Sequence, residues 1–131
     1  AACAEVSVSD QGQLKIHKIV AGTNCGHAVN PQQIAAQVEG SVGFCLSAVF
    51  YNEMTVDNGR MVETNFHQYR LLRLAQMPKV ETVLVPTGGF WGGHGEPGIL
   101  PFGGAVLNAV FAATGKRLRD VPLKNHGFTM V

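Results

Sequence analysis

Hydrophobic and polar residues alternate over residues 3–9: Ala4, Val6 and Val8 take one face, and Cys3, Glu5, Ser7 and Ser9 the other. A period of two predicts a half-buried strand. Asp10-Gln11-Gly12 supplies a turn and residues 14–20 resume as a second strand, which makes a hairpin. Residues 24–29 read as a loop. The period then changes: Ile34, Val38, Val42, Cys45 and Val49 recur at steps of three and four, predicting a helix over 31–51. Asn30 is placed to cap its free N–H groups, and Pro31 at the first helical position loses no needed donor. Gly40 and Gly43 weaken that helix by roughly 1 kcal/mol each relative to alanine. Tight packing, or close approach of backbone or a cofactor, would explain them.

A second hairpin is expected over 53–63 around Asp57-Asn58-Gly59, with residues 60–63 as its return strand. Residues 64–77 are ambiguous, and Tyr69, Leu71, Leu72 and Leu74 fit an irregular buried run or a short helix. Residues 80–85 read as a strand with Val83 and Val85 on the same face. After a glycine-rich loop, a closing helix is expected from about Phe102 to Thr114, with Val106, Ala109, Val110 and Ala113 on one side. Gly115 would end it by taking a left-handed conformation. Strands and helices interleave without repeats or linkers. This predicts an α+β fold, β-hairpins and mixed strands packed with two main helices, as one domain over 1–131.

Composition changes that picture in one respect. The chain is 46% hydrophobic but only 15% charged, against roughly 25% charged for an average soluble domain. So light a coat of charge leaves apolar surface suited to another domain or subunit. A net charge of +1 provides no basic field for nucleic acid or a membrane surface. Cys3, Cys25 and Cys45 are an odd number, widely spaced, without a CxxC pair. They fit neither a disulfide framework nor a thiolate metal site and are expected as buried small hydrophobes. No apolar run is read as approaching the roughly 20 residues of a membrane span. The start lacks the basic flank of a signal peptide and reads as a chain entering midway through a strand, or as a mature or cut terminus.

Candidate chemistry concentrates in Thr87-Gly88-Gly89-Phe90-Trp91-Gly92-Gly93-His94-Gly95-Glu96-Pro97-Gly98, where six of twelve residues are glycine. Such a loop brings backbone very near a ligand. Burial of Glu96 beside Phe90 and Trp91 would make its carboxylate a useful general base. An exposed loop glutamate is the plainer reading from composition alone. The loop lacks the Lys-Ser/Thr ending of a phosphate-binding loop. His17, His27, His67, His94 and His126 are dispersed, and no pair has the i,i+4 spacing of a metal site.

Taken together, four stretches resemble the molybdenum-binding subunit of the xanthine oxidase family. They are Cys25-Gly26-His27-Ala28-Val29-Asn30-Pro31, Gln37-Val38-Glu39-Gly40, Gly92-Gly93-His94-Gly95-Glu96-Pro97, and Ala105-Val106-Leu107-Asn108-Ala109 running into Ala112-Ala113-Thr114-Gly115-Lys116-Arg117. Asn65-Phe66-His67-Gln68-Tyr69-Arg70 looks like the segment between the second and third. The branch most similar is that of isoquinoline 1-oxidoreductase beta-subunits and membrane-associated aldehyde dehydrogenases, and the chain looks like the last part of such a subunit.

The resemblance implies a molybdopterin cofactor, of the cytosine dinucleotide form, carrying molybdenum without a protein side chain as metal ligand. It implies that Glu96 is the general base, that Gln37 hydrogen-bonds the cofactor, and that Gly95 lies beside the metal. Water would supply the oxygen added to an aldehyde or N-heteroaromatic. Electrons would leave through an iron–sulfur subunit, with a cytochrome c subunit as a further partner and a periplasmic or membrane-associated setting in this branch. His94 stands where a small aliphatic residue is usual, which makes the approach to the metal more polar, and Asn24 stands where aspartate is common. The Gly-Gly-Phe-Gly-Gly type loop and other cofactor contacts are absent, so this chain alone is expected neither to retain cofactor nor to turn over. The competing expectation is a non-catalytic α+β binding or interaction module whose glycine loop is structural.

Overall fold

Every strand of the main sheet in the computed structural model, which describes residues 1–131, pairs with one central strand. Strand β1 (Ala2–Val8) runs antiparallel to β2 (Gln13–Thr23), the expected hairpin. Helix α1 (Pro31–Phe50) follows, then the small hairpin β3 (Val56–Asp57) and β4 (Arg60–Met61), with Asn58 and Gly59 both at positive φ. Strand β5 (Lys79–Leu84) adds parallel to the end of β2, helix α2 (Ile99–Thr114) packs back, and β6 (Thr129–Met130) pairs parallel with the start of β2. The fold is α+β, with a mixed sheet and two main helices.

One irregularity in β2 decides which residues reach the core. The register moves from Glu5 opposite Lys18 to Val6 opposite Ile16, so His17 is an extra residue in the strand. Such a bulge shifts the period-two parity by one. Leu14 and Ile16 point inward before it and Ile19 and Ala21 after it, all buried. Against them pack Val38, Val42, Leu46 and Phe50 of α1 and Phe102, Val106 and Val110 of α2, each almost wholly removed from water.

Helix α1 starts as its sequence dictates: Asn30 Oδ1 accepts from the backbone N–H groups of Gln32 and Gln33 at 3.1 and 3.3 Å, and Pro31 opens the first turn. Helix α2 begins three residues before the expected Phe102, after a short 3-10 turn at Glu96–Gly98. Pro101 does not prevent this, because proline is tolerated in the first turn. Gly115 ends the helix at φ 72°, its N–H donating to Phe111 O. The segment Glu96–Thr114 is, by length and composition, long and apolar enough to cross a bilayer, contrary to the sequence expectation. Here its Phe102, Val106 and Val110 face lies in the core between β1 and α1.

Three further expectations are corrected. Residues 64–77 do not form the buried run, and the short helix offered as the alternative is reduced to a single turn. Only Leu74–Gln76 makes a 3-10 turn, and Leu71 and Leu74 are exposed. Cys25 and Cys45 are buried, but Cys3 is exposed, because it lies on the polar face of β1. Gly40 and Gly43 are not demanded by tight packing: a β-carbon on Gly40 meets nothing within 4 Å, and one on Gly43 only Met77 Sδ at 3.9 Å. Both line an open groove of about 330 Å³ with Phe44, Leu71, Leu74 and Met77.

Candidate active site

The glycine loop after β5 is fastened to the loop after β2 at several points. Val85 N donates to Thr23 O and Gly88 N to Gly26 O, both at 2.9 Å, and Gly92 N to Cys25 O at 3.0 Å. Asn24 Oδ1 accepts from Gly26 N at 2.9 Å, while its Nδ2 donates to Thr87 Oγ1 at 3.2 Å. His27 and Trp91 stack with ring centroids 4.7 Å apart. Gly26 adopts φ +79°, and its missing side chain makes room for the Phe90 carbonyl. Glycine loses much conformational freedom on folding, so a loop half composed of it is held only by contacts of this kind.

The clamp continues to His94. Its Nδ1 lies 3.2 Å from Thr23 Oγ1, and its Nε2 is buried without a hydrogen-bond partner. A buried polar atom left without a partner costs about 1–3 kcal/mol. Around this ring, a cleft of about 220 Å³ opens between the end of β2, α1 and the start of α2, lined among others by Thr23, Val38, Gly93, Pro97 and Phe102.

Glu96 opens the 3-10 turn that leads into α2. It is exposed, and forms neither an ion pair nor a side-chain hydrogen bond within these residues. Phe90 and Trp91 do not wall it in, since they are 93% and 66% exposed. The burial that would make Glu96 a stronger base is therefore not supplied by this chain. Gly95, also exposed, gives the backbone its turn into Glu96 at φ −90° and ψ −99°. Gln37 is exposed on α1, one residue before the cleft-lining Val38. Its carbonyl accepts from Ser41 Oγ at 2.8 Å, and Ser41 Oγ is in turn 3.0 Å from where a β-carbon on Gly98 would stand. The Gln37–Ser41 turn of α1 and the Glu96–Gly98 turn thus pack together.

No group of three or more His, Cys, Asp or Glu side chains is placed to hold a metal. What these residues offer instead is an exposed amide at Gln37 and open backbone at Gly93 and Gly95, where a β-carbon would meet nothing within 4 Å. That fits a large polar cofactor gripped through hydrogen bonds and close backbone approach. The sequence carries no sign of the Thr23 contact, and it marks Asn24 and Gly26 only as a departure from a common aspartate and as a glycine within the Cys25–Pro31 motif, without the loop contacts they make.

The chain belongs to the molybdopterin cofactor-binding domain family, which it matches over residues 1–78, so Gln37 lies inside the matched stretch and Gly95 and Glu96 beyond it. It is 31% identical over 114 residues to the isoquinoline 1-oxidoreductase subunit beta of Brevundimonas diminuta, an alignment covering 87% of this chain and 15% of that protein. It is 34% identical over 113 residues to a membrane-bound aldehyde dehydrogenase (pyrroloquinoline-quinone) of Gluconacetobacter polyoxogenes, covering 86% and 15%. The fold superimposes on quinoline 2-oxidoreductase of Pseudomonas putida 86 with a TM-score of 0.79 at 21% identity, over 92% of this chain and 16% of that one. The chain spans about 15% of the length of the curated relatives it matches.

Proposed function

We propose that this chain is the C-terminal part of the catalytic subunit of a molybdenum hydroxylase, and that Glu96 is its general base. The reading is supported most by one placement: a carboxylate without a partner stands at the entry to α2, on an open glycine backbone, beside the turn of α1 that carries Gln37. The molybdenum cofactor, when bound, supplies an electron-accepting centre for oxidation of the substrate carbon. Glu96 takes the proton from the attacking oxygen, Gln37 donates or accepts a hydrogen bond to the cofactor through its amide, and Gly95 lets the backbone approach without a side chain in the way. Remaining parts of the subunit would cover the exposed apolar residues, Phe44, Leu74, Phe90 and Leu100 among them, and exclude water from Glu96.

The proposed substrate is an aldehyde or an N-heteroaromatic ring, classes that the names of two relatives carry, and the proposed electron-taking partners are an iron–sulfur subunit and a cytochrome c subunit, as the sequence resemblance implies. One relative's name carries pyrroloquinoline quinone; the cofactor reading follows the matched family instead, with the cytosine dinucleotide form as the proposed variant. The test is Glu96→Gln in the complete enzyme, scoring dye reduction on an aldehyde and on an N-heterocycle beside metal analysis. Loss of at least about 100-fold in turnover with molybdenum retained is the expected result, the range of a general base. Unchanged turnover would overturn the assignment and leave an interaction module with a structural loop.

A further inference from the structure

We infer that His94 is a positioning residue for Glu96, pinning the last part of the glycine loop to the end of β2 through its hydrogen bond with Thr23. The inference rests on the reading of Glu96 as the base. Between Gly92, whose N–H is held by Cys25 O, and Glu96, whose carbonyl accepts from Ile99 N, the Thr23–His94 contact is the one hydrogen bond that ties the loop to the rest of the fold. Gly93 and Gly95 flank the ring, and neither meets any atom within 4 Å of where a side chain would begin. The glycines on both sides of His94 thus add no side-chain packing to hold the backbone, and Glu96 follows two residues later. The far side of Glu96 is fixed by Pro97 and by α2, so the pin at His94 completes a two-sided mount for the carboxylate.

The ring is suited to that task. It is partly buried in the cleft bounded by Thr23, Val38, Pro97 and Phe102, so its orientation is set by packing as well as by the hydrogen bond. The Thr23 hydroxyl serves either tautomer, because it donates or accepts as the ring requires. Thr23 itself is the residue where β2 ends and where its carbonyl already accepts from Val85 N. Strand, loop and catalytic carboxylate are thereby linked through one side-chain pair 71 residues apart in sequence. The working atom is Nδ1, and this separates the role from one in which Nε2 binds a ligand.

Isosteric replacements divide the two atoms. An asparagine amide reaches the neighbourhood of Nδ1, a glutamine amide that of Nε2. In the complete enzyme, Thr23→Val and His94→Gln are expected to lower kcat about tenfold with KM and molybdenum content unchanged, whereas His94→Asn recovers to within about threefold. Deuterium uptake over residues 93–96 should rise in Thr23→Val and His94→Gln and not in His94→Asn. Rescue by glutamine with failure of asparagine would overturn the inference and make Nε2 a binding atom. Wild-type rate and exchange in Thr23→Val would overturn it as well. Glu96→Gln is measured alongside: retained turnover there sinks the base and with it the purpose of the pin, while loss of turnover there with Thr23→Val intact sinks the pin alone.

Discussion

The backbone of Gly26 passes directly against the carbonyl oxygen of Phe90, leaving no space for a β-carbon, and it does so at φ +79°. Two penalties therefore coincide at this position. A non-glycine residue pays about 1–2 kcal/mol for left-handed backbone, and here its side chain would also force the two loops apart. Gly26→Ala is expected to destabilise the chain by more than about 2 kcal/mol in urea unfolding. Gly59→Ala is the control, with φ +75° but nothing within 4 Å, and should cost only about 1 kcal/mol. Equal losses at the two sites would show that the approach of Phe90 does not constrain the loop.

How far the fold was legible depends on how local each signal is. The first hairpin, α1 with its Asn30 cap, the Asn58-Gly59 turn and the Gly115 stop were all readable, because each is decided by neighbours within a few residues. The bulge at His17 was not read, although Leu14 and Ile16 against Ile19 and Ala21 record its change of parity. Residues 64–77 misled because leucines with no period suggest burial, whereas this stretch leaves Leu71 and Leu74 in water. At the site, the glycine-rich loop with Glu96 as a candidate base was legible from the residues, whereas the cofactor it would serve was visible only through family resemblance. The residues that hold that loop, Thr23, Asn24 and Gly26, lie some 60 to 70 residues away and become neighbours only through the parallel pairing of β2 with β5.

Thiol chemistry distinguishes the three cysteines. Cys3 stands exposed on β1, while Cys25 and Cys45 are buried, and burial pushes the Cys45 thiol above its ordinary pKa against a smaller opposing effect from the backbone of Gly103. Because the thiolate is the reactive form, native alkylation followed by peptide mapping should label Cys3 and spare the other two. Denaturant should then expose all three. Labelling of Cys45 under native conditions at a rate comparable to Cys3 would contradict the packing of α1 against α2.

Acid should loosen the chain through surface carboxylates. The Lys124 ammonium, followed by the Asn125 amide, holds Glu53 below its usual value and ties the segment after α1 to the C-terminal region. The Thr55 backbone N–H does the same for Glu63, and Lys18 for Glu81. A carboxylate whose folded pKa is depressed adds stability above its unfolded value, about 4.3 for glutamate, and that stability is lost as pH falls through the folded value. The melting temperature should therefore fall as pH drops from about 5 towards 3. Glu53→Gln should flatten part of this slope, as should salt, since these groups are exposed. A slope unchanged in Glu53→Gln would remove the Lys124 contact from the account.

Adjacent glycines in α2 make opposite demands, and a pair of substitutions separates them. Gly103 faces α1, where a β-carbon would stand 3.2 Å from Val49 Cγ2 and 3.5 Å from Cys45 Sγ. Gly104 is exposed, and a β-carbon there meets nothing within 4 Å. Glycine inside a helix is destabilising by roughly 0.5–1 kcal/mol relative to alanine, because its unfolded chain has more freedom to lose. Gly104→Ala should therefore stabilise the chain by about that amount. Gly103→Leu instead drives a side chain into a filled interface, and overpacking of this kind costs about 1–3 kcal/mol. Thermal and urea unfolding of the two variants check both signs. If Gly103→Leu is neutral, α1 and α2 are free to separate at their crossing, and the depth of Val49 and Cys45 does not reflect a close-packed contact.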